Sequence, residues 1–168
     1  MVQVGILMGS DNDWSKINAV GKALDEFGVQ YEVNVMSAHR TPGKVIEYTE
    51  SAPSRGISVM ICAAGGAAHL AGVVAAHTIL PVIGIPVQTD FAGGLDSLLS
   101  TVQMPGDIAV ASVGTGSGGA RNAGLLAVQI LALSDPALRK KFEDYRASLP
   151  ERIAEKNAAL QARIKKGE

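Results

Sequence analysis

Segment 37–42 (Ser-Ala-His-Arg-Thr-Pro) combines side chains that could hold a phosphate and move a proton. Arg40 can form two parallel hydrogen bonds to a phosphate group. His39 lies beside it, and histidine is the side chain best suited to accept and release a proton near neutral pH. A lone loop histidine is usually polar surface, but the adjacent Arg40 and the nearby Ser37 favour a functional loop.

Residues 9–13 (Gly-Ser-Asp-Asn-Asp) offer a second set of polar groups, between an apolar run and a helical pattern. Gly9 would let backbone approach a ligand closely. Ser10 could donate to a phosphate or ribose oxygen, Asp13 could accept from ribose hydroxyls, and the helix N-terminus suits an anion. The same residue types also cap helices, and this segment alone leaves both interpretations open.

Segment 63–69 follows a third apolar run and contains small residues. Gly65, Gly66 and Ala67 would leave room for a flat ring. His69 could contact that ring or merely begin a helix, and the sequence does not separate the two. His77, at the predicted end of the same helix, is more typical of a side chain that meets the negative end of the helix dipole.

Residues 114–119 match the pattern Gly-x-Gly-x-x-Gly between a predicted strand and helix. In a dinucleotide fold another strand with an acidic end follows about 20 residues later; here Asp135 opens a helix instead, so a nicotinamide cofactor is disfavoured. The sequence also lacks a Walker A motif, an HExxH motif and a cysteine cluster, so neither a nucleoside triphosphate site nor a structural zinc site is indicated, and we expect no metal site. The single cysteine, Cys62, lies in an apolar run and is expected to be buried and unreactive.

Five short apolar runs alternate with helical patterns, which predicts an α/β fold with a parallel sheet between two helical layers. The strands are expected at 2–8, 31–36, 57–64, 81–86 and 108–113. We expect the flavodoxin-like strand order. Because ligands bind outside the carboxyl ends of parallel strands, segments 9–13, 37–42, 63–69, 88–96 and 114–122 should meet at one edge of the sheet.

Residues 135–168 are predicted to form a C-terminal helical extension of the catalytic domain 1–134. One helix would begin at Asp135-Pro136 and a second near Pro150, where Ser148 and Glu151 resemble a capping box. This tail could pack on another subunit, which we favour, or fold back on its own domain.

Composition narrows the class of partner. The net charge of −1 and an aromatic content of 4% argue against nucleic acid. No apolar run is long enough for a membrane span, and no secretory signal is visible. A lone cysteine fits a reducing compartment, so we expect a cytoplasmic protein. The mean hydropathy of +0.20 suggests that other subunits cover some apolar surface.

Several ordered blocks of this sequence resemble the N5-carboxyaminoimidazole ribonucleotide mutase family, also called the catalytic subunit of phosphoribosylaminoimidazole carboxylase. The resemblance spans about residues 2–135. The matching blocks are segments 8–14, 37–42, 64–70 and 96–105 and the pair Asn122-Ala123. Segment 114–119 is richer in glycine than the family pattern, and Asp90-Phe91 is also unusual.

The resemblance implies an isomerase of de novo purine synthesis that moves a carboxylate from the exocyclic nitrogen of an aminoimidazole ribonucleotide to ring carbon C4. It also implies a flavodoxin-like fold, no metal or other cofactor, and a homo-octamer with tail helices crossing between subunits. His39 would be the general acid and base. The residues expected to bind substrate are Ser10, Asp13, Ser37, Arg40, Gly65, Gly66, Ala67 and His69.

The sequence leaves two alternatives to the mutase. A related class carboxylates the same ring directly with carbon dioxide, but its counterpart of segment 65–69 contains Ser and Asn, so Gly-Gly-Ala-Ala-His favours the mutase. The other alternative is a flavodoxin-like module that binds a nucleotide or flavin without chemistry.

Overall fold

The computed structural model describes residues 1–167, and the last residue of the predicted extension, 168, lies outside them. Five parallel strands form one sheet in the order β2-β1-β3-β4-β5, which confirms the predicted flavodoxin-like fold. The strands are β1 (Val4–Met8), β2 (Tyr31–Val35), β3 (Val59–Ala64), β4 (Val82–Pro86) and β5 (Ala111–Ser112).

Seven helices accompany the sheet in the described chain. They are α1 (Trp14–Ile17), α2 (Ala19–Phe27), α3 (Pro42–Ser51), α4 (Leu70–Ala75), α5 (Leu95–Val102), α6 (Gly116–Leu131) and α7 (Pro136–Lys165). Short 3₁₀ turns cover Asp11–Asp13, Pro53–Arg55 and Phe91–Gly94.

The sheet has a buried core on each face, as a parallel sheet between two helical layers requires. On one face α2, α6 and the start of α7 bury a cluster that includes Ile6, Leu24 and Val128. On the other, α3 and α4 bury a second cluster around Leu7 and Val45. The central strands β1 and β4 are buried along their whole length, so each is fixed from both sides.

The fifth strand is shorter than the sequence predicts. Instead of residues 108–113, only Ala111 and Ser112 pair with β4, opposite Ile83 and Gly84. This strand is at the edge of the sheet and has a partner on one side alone. The turn before it contains Asp107 at a φ of +74°. The chain is not extended at this residue, so its pairing with β4 begins only at Ala111.

The expected helix break near Pro150 is wrong, because α7 continues through Pro150 to Lys165. A proline inside a helix removes the hydrogen bond to the carbonyl four residues earlier, here that of Arg146. Both residues are exposed, so water can satisfy that carbonyl. The helix start is as predicted: the Asp135 carboxylate accepts from the backbone N–H groups of Ala137 and Leu138, each at 3.0 Å.

The first half of α7 folds back on its own domain. Leu138 is buried, and the rings of Phe142 and Tyr145 each lie 5.4 Å from the ring of Phe27. Arg121 and Arg152 both pair with Glu26, at 2.6 and 3.5 Å. From Pro150 to Gly167 every residue is exposed. The expectation of a subunit contact therefore applies only to this second half, where it stays a prediction.

Candidate active site

A cleft of about 520 Å³ opens at the carboxyl ends of β1, β2, β3 and β4. Its wall is formed by loops from four separate parts of the chain, around residues 9–16, 37–40, 64–70 and 87–89. This is the edge at which parallel-sheet proteins place their ligands. Segments 9–13, 37–42 and 63–69, predicted from their residue types, are thus brought together in one site.

The loop after β2 is held in shape by its own side chains. The Thr41 hydroxyl accepts from the Ser37 N–H at 3.0 Å and lies 3.1 Å from the Ser37 carbonyl. The Ser37 hydroxyl accepts from the Arg40 N–H at 3.2 Å. The Arg40 guanidinium reaches across to the loop after β1 and donates through Nη2 to the Gly9 carbonyl at 2.7 Å. Arg40 therefore joins the two loops and presents its positive charge to the cleft.

The loop after β1 contributes Ser10 and Asp13 to the same cleft. The Ser10 hydroxyl accepts from the Asn12 N–H at 3.3 Å and caps the following 3₁₀ turn. Ser10 therefore both caps the turn and lines the cleft. Burial raises the pKa of the half-buried Asp13 carboxyl, and the nearby Lys16 ammonium partly opposes this increase. A carboxylate that has lost part of its hydration is well suited to accept hydrogen bonds from hydroxyl groups.

Two histidines from different loops meet beside the cleft. His39 Nε2 lies 2.9 Å from His69 Nδ1, and the rings are nearly perpendicular, at 85°. A neutral imidazole has one donor and one acceptor nitrogen, so a single proton lies between the two facing atoms. Because Nε2 of His39 is paired with His69, Nδ1 is the His39 nitrogen that remains for another partner. His77 takes no part, because it lies beyond the far end of α4, with Nδ1 at 3.8 Å from Glu50.

Gly65 and Ala67 line the cleft, whereas Gly66 and His69 do not contribute to its described wall. Gly66 turns the chain with a φ of +68°, a conformation that side chains disfavour. A Cβ on Gly65 would lie 3.2 Å from the Thr89 methyl group, so the two loops approach closely there. Gly93 and Gly94, in the loop after β4, also lie outside the described cleft wall.

Three polar side chains of the cleft wall were not among the residues predicted to bind substrate: Lys16, Gln88 and Thr89. The Lys16 ammonium donates to the Gln88 carbonyl at 2.9 Å and thereby links α1 to the loop after β4. Lys16 follows Asp13 by three residues, close to one helical turn, which was the available signal. Gln88 and Thr89 follow β4 directly and belong to segment 88–96, which was predicted to meet the other loops, although neither residue was predicted to bind substrate.

The glycine-rich segment 114–119 lies at the start of α6. Gly116 and Ser117 line an adjoining cavity of about 410 Å³ that shares Lys16 and Thr89 with the cleft. A Cβ on Gly119 would lie 2.2 Å from the Gly114 carbonyl oxygen. Close packing of the chain on itself therefore accounts for this part of the glycine pattern.

Cys62 is buried in β3, as expected, and burial raises the pKa of its thiol. Residues 1–167 contain no group of three or more His, Cys, Asp or Glu side chains arranged to hold a metal ion. Over the same residues no helix combines the length and apolar character needed to cross a membrane.

Comparison with known proteins identifies the group to which this arrangement belongs. Residues 3–152 match the sequence model of the AIR carboxylase family. The chain belongs to this family. The matched range contains the whole cleft, both histidines and all the predicted site residues.

Individual relatives agree with this family membership. The chain is 53% identical to an N5-carboxyaminoimidazole ribonucleotide mutase from Synechocystis sp., over 94% of this chain and 89% of the relative. It is 51% identical to the protein of that name from Bacillus subtilis, over 94% and 97%. Among solved structures, Treponema denticola PurE superposes with a TM-score of 0.81 at 28% identity, over 95% of this chain and 99% of that one.

Proposed function

We propose that this protein is an N5-carboxyaminoimidazole ribonucleotide mutase of purine biosynthesis. The reaction moves a carboxylate from the exocyclic nitrogen to C4 and gives 4-carboxy-5-aminoimidazole ribonucleotide. The observation that carries the proposal is the contact of 2.9 Å between His69 and His39, a residue of the cleft wall that also contains Arg40 and Asp13. The identity of about half of all aligned residues to mutases supports the same reaction.

The phosphate and ribose would bind at the β1 and β2 ends of the cleft. Arg40 supplies a fixed guanidinium, whose planar donor geometry suits a phosphate. Ser10 and Ser37 add hydroxyl groups to the same cleft. Asp13 accepts from the ribose hydroxyls. The ring would then lie against the small residues Gly65 and Ala67, with Gly66 forming the turn that presents them.

The reaction needs one proton, which passes from His39 to the substrate and later returns to His39. Protonated His39 donates to the carbamate nitrogen through Nδ1, and the C–N bond breaks with its electron pair remaining on nitrogen. Carbon dioxide and aminoimidazole ribonucleotide then share the cleft. C4 of the electron-rich ring attacks the carbon dioxide to form the new C–C bond, and the C4 proton passes to His39 Nδ1. No net proton is gained or lost.

His69 would keep His39 in the tautomer that this cycle requires. Protonated His39 has an N–H on both nitrogens, so its Nε2 donates to His69 Nδ1 while its Nδ1 faces the substrate. After the first step Nε2 keeps its proton and Nδ1 becomes the base. A fixed partner on one ring nitrogen is a common way to determine the state of the other.

The cleft must also retain carbon dioxide between the two steps. Its ring end is lined by backbone and small side chains together with Gln88 and Thr89. The reaction written above uses protein groups and substrate only, so we propose that no cofactor is required. We also propose a homo-octamer in which the exposed half of α7 packs on other subunits, and a cytoplasmic location, where purine synthesis takes place.

An assay of two substrate sets tests the proposal. Purified protein is given N5-carboxyaminoimidazole ribonucleotide, or aminoimidazole ribonucleotide with bicarbonate, and formation of the C4-carboxylated product is followed. A mutase uses the first far better than the second. Preference for the second would identify a direct carboxylase, and tight binding without turnover would identify a binding module.

The variant His39→Asn tests the role of the proton carrier, with His77→Asn as the matched control. Loss of a general acid and base reduces turnover by about 10²- to 10⁴-fold, and we expect nucleotide binding to persist. His77 is remote from the cleft, so its variant should retain wild-type turnover. Equal rates for His39→Asn and wild type would refute the mechanism.

A further inference from the structure

A group of polar side chains on α5 is coupled to the ring end of the cleft. The Asp96 carboxylate accepts from the Thr89 hydroxyl at 2.6 Å and from the Ser97 N–H at 2.8 Å. The Ser97 hydroxyl lies 3.4 Å from the same oxygen and accepts from the Gly66 N–H at 2.9 Å. One carboxylate therefore connects the loop after β4 with the loop after β3.

Ser100, one helical turn later, makes a second connection to the loop after β3. Its hydroxyl accepts from the Ala68 N–H at 3.0 Å and lies 2.8 Å from the Gly66 carbonyl oxygen. Ser97 is fully buried and Ser100 is partly buried. The loss of such a bond is costly, because a buried N–H without a partner has lost its hydrogen bond to water and has no other acceptor.

The loop held in this way is the one that ends at His69. The backbone of 66–68 has two of its N–H groups bound to α5 and one residue at a positive φ. His69 follows directly, and its ring lies 2.9 Å from the ring of His39. None of Asp96, Ser97 and Ser100 belongs to the described cleft wall, so their effect on the reacting atoms must be transmitted through the loop.

We propose that Asp96, Ser97 and Ser100 form a brace of positioning residues, which sets the place of His69 and of the ring-binding backbone for the carboxylate transfer. This inference rests on the proposed function. It predicts that weakening the brace lowers turnover more than binding, because Arg40, Ser10 and Asp13 hold the other end of the nucleotide and have no bond to α5.

The variant Ser100→Ala tests the brace, with Ser100→Thr as the conservative substitution. A displacement of about 1 Å in a catalytic arrangement can cost 10²-fold in rate, so we expect kcat to fall by about 10- to 100-fold while KM changes by less than about 3-fold. Threonine keeps the hydroxyl, and its methyl group can enter the groove that Ser100 shares with His69 and Met104. Ser100→Thr should therefore restore most of kcat.

Ser51→Ala is the matched control. Ser51 is also partly buried, and its hydroxyl donates at 3.0 Å to a backbone carbonyl in its own helix, α3, away from the loop. This variant should keep wild-type kcat and KM. If Ser100→Ala retains wild-type kcat, or if its loss is equal in the threonine variant, the brace does not position the reaction.

Amide hydrogen exchange separates failure of this inference from failure of the proposed function. In Ser100→Ala the Ala68 N–H should exchange faster than in wild type, while the amides of β1 should be unchanged. If wild type turns over no substrate, the proposed function fails, and exchange at Ala68 still tests the brace. Unchanged exchange at Ala68 would overturn it.

Discussion

The contact between α2 and α6 gives a stability prediction with its own internal control. Gly124 faces α2 where the two helices are closest. A Cβ there would lie 2.8 Å from the Ala23 Cβ and 2.8 Å from the Val20 carbonyl oxygen. Neither atom is the end of a flexible side chain, so Gly124→Ala must move one helix relative to the other.

The cost of Gly124→Ala can be estimated from two opposing effects. Overpacking of a well-packed core costs about 1–3 kcal/mol, and two contacts this short with atoms fixed to the backbone place it near the upper limit. Alanine regains about 1 kcal/mol of helix propensity over glycine. The free energy of unfolding should therefore fall by about 2 kcal/mol, which for this chain length lowers Tm by roughly 4–8 °C.

Gly118→Ala, in the same helix, should have the opposite sign. Gly118 is exposed, and a Cβ there would have no atom within 4 Å. Only the propensity effect remains, so stability should rise by about 0.4–1 kcal/mol. Thermal and urea unfolding of both variants measure the difference. If Gly124→Ala is as stable as Gly118→Ala, the helices are not in contact as described.

Two further predictions concern the cleft. Arg40→Lys keeps the charge but loses the paired donors, so KM should increase by roughly 10- to 100-fold with a smaller change in kcat; an unchanged KM would exclude Arg40 as the phosphate ligand. Burial raises the pKa of Asp13 above its ordinary value of 3.8, which means that its ionised form destabilises the folded state at neutral pH. Asp13→Asn should therefore raise Tm at pH 7 while weakening substrate binding, and the gain should shrink as the pH falls through the pKa of Asp13 toward 3.8. A gain that grows on acidification would contradict this account.

Much of the site followed from strand periodicity alone. Once five apolar runs are read as parallel strands, topology brings their carboxyl ends to one edge, and the loops carrying Ser10, His39 and Gly65 must meet there. The order β2-β1-β3-β4-β5 needs only right-handed connections of ordinary length. Buried strands and their ends are strongly encoded, because few other arrangements bury the same apolar residues.

Side-chain contacts across loops were not encoded in that way. His39 and His69 are separated by 30 positions, and their contact depends on the turn at Gly66 and on its bonds to α5. Lys16 is an exposed helical residue, and its bond to the Gln88 carbonyl, 72 positions away, could not be read from the helical pattern. The prediction of a helix break near Pro150 failed for a related reason. Proline locally favours the end of a helix, but water can satisfy the carbonyl that loses its partner, so α7 continues.

The arrangement of the polar groups also bears on the choice between an enzyme and a binding module. Arg40, Ser10 and Asp13 would be enough to hold a nucleotide, and none of them contacts His69. A module that only binds gains nothing from two histidines that share a proton, nor from a buried network on α5 that fixes the backbone just before one of them. Fixing a ring nitrogen to a fraction of an ångström matters when a proton must leave and return along one line. Turnover of N5-carboxyaminoimidazole ribonucleotide by the wild-type protein separates the two, and a loss of turnover without a loss of binding in Ser100→Ala would show that the network on α5 serves the reaction.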